Sequence, residues 1–214
     1  MKVLFVSSGN KKSGISPIVK AQGESLIKIN VRLNYYVIKG KGLKGYLKNL
    51  PSLREEIKRG NYDIVHSHYG DSAILTSLAN RKKSKFILSF MGSDIHFHRN
   101  KIKKNIINSY FYPNLYKMIA KYIANSVIVK SNEMKNSLWK GSNVHTIPNG
   151  VDLNIFRPLK YKVNQNIRGS KKILFISDKL RPEKNYYLLK SAVQLLKDRF
   201  KIEIINPTNL TPVE

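Results

Sequence analysis

The sequence predicts an α/β fold built on a doubly wound parallel sheet, followed by the start of a second unit of the same kind. Short, almost wholly apolar runs read as strands buried on both faces; helical stretches separate them; and polar loops carrying glycine or serine follow where the apolar runs end. The rhythm is complete by residue 157 and restarts near residue 171. A first domain over 1–157, a linker over 158–170 and an incomplete second domain over 171–214 are therefore expected.

Residues 2–7 form the first apolar run, which breaks into the polar loop Ser8-Gly9-Asn10-Lys11-Lys12-Ser13-Gly14. Ser16 then Pro17 is the grammar of a helix start: serine caps, and proline sits at the first helical position, where its missing N–H costs nothing. That helix should run to residue 29. Residues 33–38 read as a strand, 51–59 as a helix stopped by Gly60, and 62–67 as a strand. Residues 72–82 are helix-like and 85–90 strand-like. A long helix over 101–122 should break near Pro113, whose ring crowds the preceding turn. Residues 126–129 form a strand, Ser131 caps a short helix reaching Trp139, and 144–147 give one more strand. Strands alternating with helices need crossover connections, hence a parallel, right-handed sheet.

Pro148-Asn149-Gly150 ends this pattern, and residues 157–170, with Pro158 and Gly169, have linker composition. Residues 172–177 restart as a strand, 185–200 as a helix and 201–205 as a strand. One strand–helix–strand unit needs further strands and covering helices before it is a stable domain.

Composition narrows the function classes. The 214 residues accommodate one full core and an appendage, not two complete domains of this type. Hydrophobic residues at 42% and aromatics at 10% exclude a chain kept disordered by charge. The absence of cysteine excludes disulfides, a thiolate zinc site and a cysteine nucleophile. The first apolar run is too short for a signal peptide and no run is long enough to span a membrane, so a cytoplasmic location is the expectation. Lys and Arg total 39 against 13 Asp and Glu, a net charge of +26 that draws the chain toward phosphates. Three sources fit: a lysine-, asparagine- and isoleucine-rich genome, attraction to an anionic membrane, or nucleic acid. Against the last, no nucleic-acid module or aromatic-basic string is present.

Several segments carry chemistry. The loop from Gly9 to Ser16 approaches a phosphate loop, but Ile15 stands where such a loop requires lysine, and no G-x-G-x-x-G fingerprint follows a strand. Free N–H groups at a helix start can still receive a ligand oxygen; a plain tight turn explains the segment equally well. His66, Ser67, His68 and Tyr69-Gly70 end the third strand, where open α/β sheets place ligands. Two histidines one residue apart point the same way, but without a third ligand nearby no metal is expected. Gly92, Ser93 and Asp94 follow the fourth strand in the equivalent place, with Asp94 either a site residue or a helix cap. The 101–122 segment is either a basic amphipathic face for lipid or an ordinary surface helix. Lys179, Arg181 and Lys184 gather before a helix, which suits a diphosphate or a merely solvated loop.

Taken in order, these segments resemble the family 4 glycosyltransferases of the GT-B fold, whose two Rossmann-like domains face each other across a cleft. Val144-His145-Thr146-Ile147-Pro148-Asn149-Gly150-Val151-Asp152-Leu153-Asn154-Ile155-Phe156-Arg157-Pro158 resembles the family's I-P-N-G-V-D-x-x-x-F-x-P crossover. Tyr62-Asp63-Ile64-Val65-His66-Ser67-His68 resembles its D-[IV]-[IV]-H-x-H strand, Gly92-Ser93-Asp94 its H-G-S-D loop, and residues 172–185 the opening of its donor domain. The resemblance implies retaining transfer from a nucleotide sugar with no obligatory metal or other cofactor; a sugar or, given the positive charge, a lipid-linked acceptor is expected, and, with no nucleic-acid module in the chain, no nucleic-acid partner. It implies that Lys179 and Lys184 bind the donor diphosphate, that Gly14, His68, Gly92, Ser93 and Asp94 line the acceptor side, and that Pro148, Asn149, Gly150 and Asp152 form the domain crossover. Two departures stand out: Met91 replaces the family's frequent cleft histidine, and the E-x7-E motif that holds the donor is expected beyond Glu214. The chain is therefore expected to be incomplete as a transferase, or a subunit whose partner chain supplies the donor half. A non-catalytic acceptor-binding subunit and a basic nucleic-acid binder are the alternatives.

Overall fold

A computed structural model describes residues 1–10, 14–81, 84–92, 94–95, 106–154, 157, 171–177, 179–180 and 184–206. It separates into two compact units, Met1–Ile155 and Phe156–Glu214.

The first unit starts with β1 (Lys2–Ser8), whose Val3, Leu4, Phe5 and Val6 are all buried because the sheet is covered on both faces here. Helix α1 (Pro17–Ile27) leads to β2 (Arg32–Ile38), parallel to β1 on one side. The chain crosses back through α2 (Gly42–Leu47) and α3 (Leu50–Gly60) and lays β3 (Ile64–His68) on the other side of β1. It then moves steadily outward: α4 (Gly70–Asn80), β4 (Lys85–Ser89), α5 (Ile106–Tyr122), β5 (Ser126–Val129), α6 (Asn132–Asn136) and β6 (Val144–Thr146). The result is one parallel sheet in the order β2-β1-β3-β4-β5-β6. The doubly wound α/β fold expected from the sequence is the fold observed.

Two packing layers hold it. On one face Val3 and Phe5 meet Val19 of α1 and Val31. On the other, Leu4, Val6 and Val65 meet Tyr46, Leu53, Ile57, Leu75 and Ala79 of α2, α3 and α4. Farther along the same face, Phe86, Leu88, Val127 and Val129 meet Tyr116, Ile119 and Ala120 of α5. Each such side chain contributes about 1.5–3 kcal/mol by leaving water.

Local differences from the sequence reading have physical causes. The described part of the long helix is unbroken, with Pro113 inside α5. Tyr112, Leu115, Tyr116 and Ile119 pack against the core on either side of it, and this packing outweighs the ~3 kcal/mol penalty of an internal proline. Residues 101–105 lie outside the described residues. Gly60 is the last helical residue, not the stop; Asn61, at φ 44° and ψ 58°, turns the chain left-handed, which asparagine tolerates. A Cβ at Gly60 would lie 2.0 Å from the Tyr62 ring, so glycine is there for space. Pro17 opens α1 as read, but the Ser16 side chain makes no capping bond, and only its carbonyl accepts from Lys20 N (2.9 Å). Ser131 does cap α6, its Oγ accepting from Met134 N at 3.3 Å, in a helix that ends at Asn136, short of Trp139.

The second unit contains β7 (Lys171–Leu174), α7 (Tyr186–Leu196) and β8 (Ile202–Ile205), with β7 and β8 parallel. Helix α7 buries no residue, and Tyr187, Leu188 and Leu195 are 72%, 63% and 84% exposed. An apolar stripe this exposed marks a helix whose second face has no cover among the described residues of its unit. The expected linker, 158–170, lies outside the described residues.

Candidate functional site

The winding of the sheet selects one place for a ligand. From β1 the chain goes first to β2 on one side and then to β3 on the other, so connections leave the carboxyl ends of β1 and β3 in opposite directions. A crevice at such a switch point is where open α/β sheets bind ligands.

The residues there break a rule of protein interiors more often than the rest of the described unit does. Buried polar atoms normally have partners. Ser7 ends the buried stretch of β1, Ser67 and His68 end β3, and Ser72 lies in the first turn of α4; their hydroxyls and both His68 ring nitrogens are buried with no hydrogen-bond partner. They are four of only six such residues among those described, the others being Tyr35 and Arg54.

His66 and His68 lie on the same face of β3, as the strand period requires. Their rings stack with centroids 4.2 Å apart, and Phe5 stands edge-on to both at 4.9 and 4.5 Å. His66 Nε2 pairs with Ser89 Oγ on β4 at 2.7 Å. His66 is thus satisfied, whereas the deeply buried His68 is not. Burial, aided by the Lys130 ammonium, lowers His66 to about 3. Burial, then His66 and Lys130, also lowers His68 well below the ordinary histidine value. Both rings are neutral at pH 7, so each offers one N–H donor and one acceptor nitrogen.

Glycine loops stand on both sides of His68. Gly14 follows β1 at φ 70° and Gly92 follows β4 at φ 116°, conformations that side chains rarely adopt, and a Cβ on either would have nothing within 4 Å. Both loops therefore present bare backbone to open space. Tyr69, between His68 and α4, is also held at positive φ (81°), strain of about 1–3 kcal/mol of the kind found at binding sites.

Asp94 takes the capping role that the sequence offered, on a helix other than one of its own segment. Its buried carboxylate accepts from Met91 N (3.0 Å) and Gly92 N (2.9 Å) of its own loop and from Gly70 N (3.0 Å) at the start of α4. It caps the neighbouring helix and ties the β4 exit loop to it, which sets the course of Gly92. Burial raises its carboxyl above the usual range against the pull of these amide donors. Lys130, at the end of β5, is half-buried and lowered by burial, with the Asp94 charge acting the other way. Sequence reasoning placed Tyr69 at this strand end but missed Lys130; only the register of β4 and β5 brings Lys130 to this edge.

The other sequence candidates are more dispersed. Ser93 and Arg181 lie outside the described residues. Around Pro148, Asn149 and Gly150 the backbone is exposed, and Asp152 Oδ1 accepts from Asn154 N (2.9 Å) to close a turn. In the second unit Lys179 Nζ sits 5.1 Å from the centroid of the Tyr186 ring, which Phe175 meets edge-on. Lys184 is exposed just before α7, and Asn185 enters that helix left-handed at φ 50°. No three His, Asp or Glu side chains gather as metal ligands among the described residues.

The sequence profile of Glycosyltransferase Family 4 matches residues 16–155. Among solved structures, a sucrose-phosphate synthase from Thermosynechococcus elongatus matches over 97% of this chain and 71% of its own, at 12% identity and TM-score 0.64. Anabaena HepE in complex with UDP and glucose matches over 96% of this chain and 60% of its own, at 13% identity and TM-score 0.62. A UDP-GlcNAc 2-epimerase from Methanocaldococcus jannaschii matches over 98% and 74%, at 11% identity and TM-score 0.53. At these identities the likeness establishes the fold, which serves transferases and an epimerase alike. The chain spans 60% to 74% of the length of these structures. No curated protein matches the sequence.

Proposed function

Because the chain belongs to Glycosyltransferase Family 4, we propose that it is the acceptor side, with the opening of the donor side, of a retaining hexosyltransferase that uses a nucleotide sugar in cytoplasmic polysaccharide or glycolipid assembly. The observation that carries this reading is His68. A neutral, buried imidazole with both nitrogens unsatisfied sits at the switch point between two open glycine loops, a place fitted for sugar hydroxyls, each of which donates and accepts.

In this reading His68 and the Gly14 and Gly92 loops orient the sugars, and Asp94 and Ser93 hold the shape of the second loop. The crossover at Pro148, Asn149, Gly150 and Asp152 joins the two halves. Lys179 and Lys184, beside the N-terminus of α7, stabilise the negative charge growing on the departing nucleoside diphosphate, so no metal is needed. Lysine at 179 gives a point charge in place of a bidentate fork. The exposed apolar stripe of α7 supports a donor half completed by further sequence or by a partner chain.

The test is nucleotide release from a panel of nucleotide sugars. The 214 residues alone should release almost none, and adding a family donor half that carries the E-x7-E glutamates should restore release. His68→Phe should then abolish it while leaving the fold at least as stable, because the ring stack survives and two orphaned nitrogens are removed. Robust turnover by the isolated chain would defeat the incomplete-enzyme reading. Full activity of the His68→Phe complex would defeat the assigned role of His68.

A further inference from the structure

Helix α5 has two apolar faces where an ordinary surface helix has one. Tyr116, Ile119 and Ala120 point into the core, as a covering helix should. Yet Phe111, Asn114, Met118 and Tyr122, spaced at helical intervals along the opposite side, are exposed, and three of the four are large and apolar. Phe111 is 59% exposed and Tyr122 is 68% exposed.

The stripe continues past the helix. Ile123 is exposed at its end, and the loop before β6 lies against it, since a Cβ on Gly141 would fall 3.8 Å from Lys121 Cε. That loop presents the exposed Trp139 and Lys140. Lys117 and Lys121 line one flank of the stripe by helical spacing, with Lys121 Nζ 5.2 Å from the centroid of the Tyr122 ring. The sequence around it has one sign of charge: between Asp94 and Glu133 there are seven Lys and Arg and no Asp or Glu.

Aromatic and aliphatic side chains beside a lysine flank match the boundary of an anionic bilayer, where rings sit at headgroup level and lysines meet phosphates. We infer that the outer face of α5, with Ile123 and Trp139, docks the chain on an anionic lipid surface. A nucleic acid would use the lysines but leave the aliphatic stripe in water; a second copy would bring the same excess of positive charge against itself. Docking requires neither donor nor turnover, so its failure and that of the transferase reading are separable.

Trp139 is the only tryptophan of the chain and reports docking directly. The intact chain is titrated with phosphatidylcholine vesicles with and without phosphatidylglycerol, following co-sedimentation and Trp139 emission. Anionic vesicles should bind it and shift Trp139 emission to the blue, and added salt should weaken binding. The double variant Phe111→Ser/Tyr122→Ser should bind about tenfold more weakly or worse through lost apolar burial. Lys117→Gln/Lys121→Gln should bind about thirtyfold more weakly, at roughly 1 kcal/mol per lysine. These positions are exposed or half-exposed, and circular dichroism establishes that both variants fold. Equal binding to neutral vesicles, unmoved Trp139 emission or wild-type binding by the folded variants would overturn the inference. So would a stripe variant whose only change is loss of duplex-DNA binding or of self-association.

Discussion

Acidification should unfold this protein through its histidine pair. In the unfolded chain His66 and His68 take up protons near pH 6.5, whereas in the fold both are held well below that, His66 at about 3. A depressed histidine contributes stability that is complete above the unfolded value and is lost as pH falls toward the folded one. Between pH 7 and pH 5 His66 should cost the fold about 2 kcal/mol, and His68 adds to the loss in the same direction. Asp94 works oppositely: its raised carboxyl favours the fold below the ordinary carboxylate range and loses that contribution as pH rises. Comparing variant with parent cancels this and every other background titration. Urea unfolding followed by circular dichroism at pH 7, 6 and 5 should give a His68→Phe variant that loses less stability on acidification than the parent. At pH 7 its stability should equal or exceed the parent's, because no hydrogen bond is lost. An identical pH dependence in parent and variant would mean that His68 takes up its proton as readily in the fold as in the unfolded chain, and would refute the buried neutral pair.

Two further outcomes follow from the loop geometry. Asp94→Ala leaves three backbone amides without their acceptor and should destabilise the first unit by about 3 kcal/mol in urea unfolding, with faster hydrogen exchange at Gly70, Met91 and Gly92; a loss under about 1 kcal/mol would contradict the clamp. Gly70→Ala places a Cβ 2.5 Å from the buried Tyr116 ring, whose hydroxyl is tied to Asp71, and should cost about 1–3 kcal/mol. Gly14→Ala meets no atom and should cost only about 1 kcal/mol of backbone strain while weakening ligand binding, so the two glycines separate packing from site in one thermal-melt and binding experiment.

The sheet was legible because its strands are buried on both faces: runs such as Val3-Leu4-Phe5-Val6 need no context to be read. Helix α2 was not, because Gly40 and Gly45 pack backbone against backbone and look like loop punctuation in sequence. Pro113 misled because the penalty of a proline is local while the packing that overrides it comes from other elements. At the site, histidine spacing and glycine positions were visible, but the inequality between His66 and His68 was not: it depends on Ser89 reaching one ring from another strand. The double identity of Asp94, in one loop and capping another's helix, is likewise a property of three dimensions.

The two units differ in how well they can hold charge and hydrogen-bond donors in place, and this bears on where turnover would be limited. Electrostatic stabilisation works when the stabilising groups are fixed before charge develops, since groups that must reorganise lose much of their advantage. In the first unit His68, Asp94 and the glycine loops hang on strands and helices that share continuous cores. In the second, Lys179 and Lys184 depend on a helix of 11 residues that buries none of them, and helices of that length are marginal alone. On the proposed reading the sugar-orienting side is therefore organised within this chain, whereas the diphosphate side gains its rigidity only when the stripe of Leu188 and Leu195 is covered. Completing the donor half should thus act on the chemical step as well as on donor affinity, because it immobilises the two lysines on which the departing charge depends.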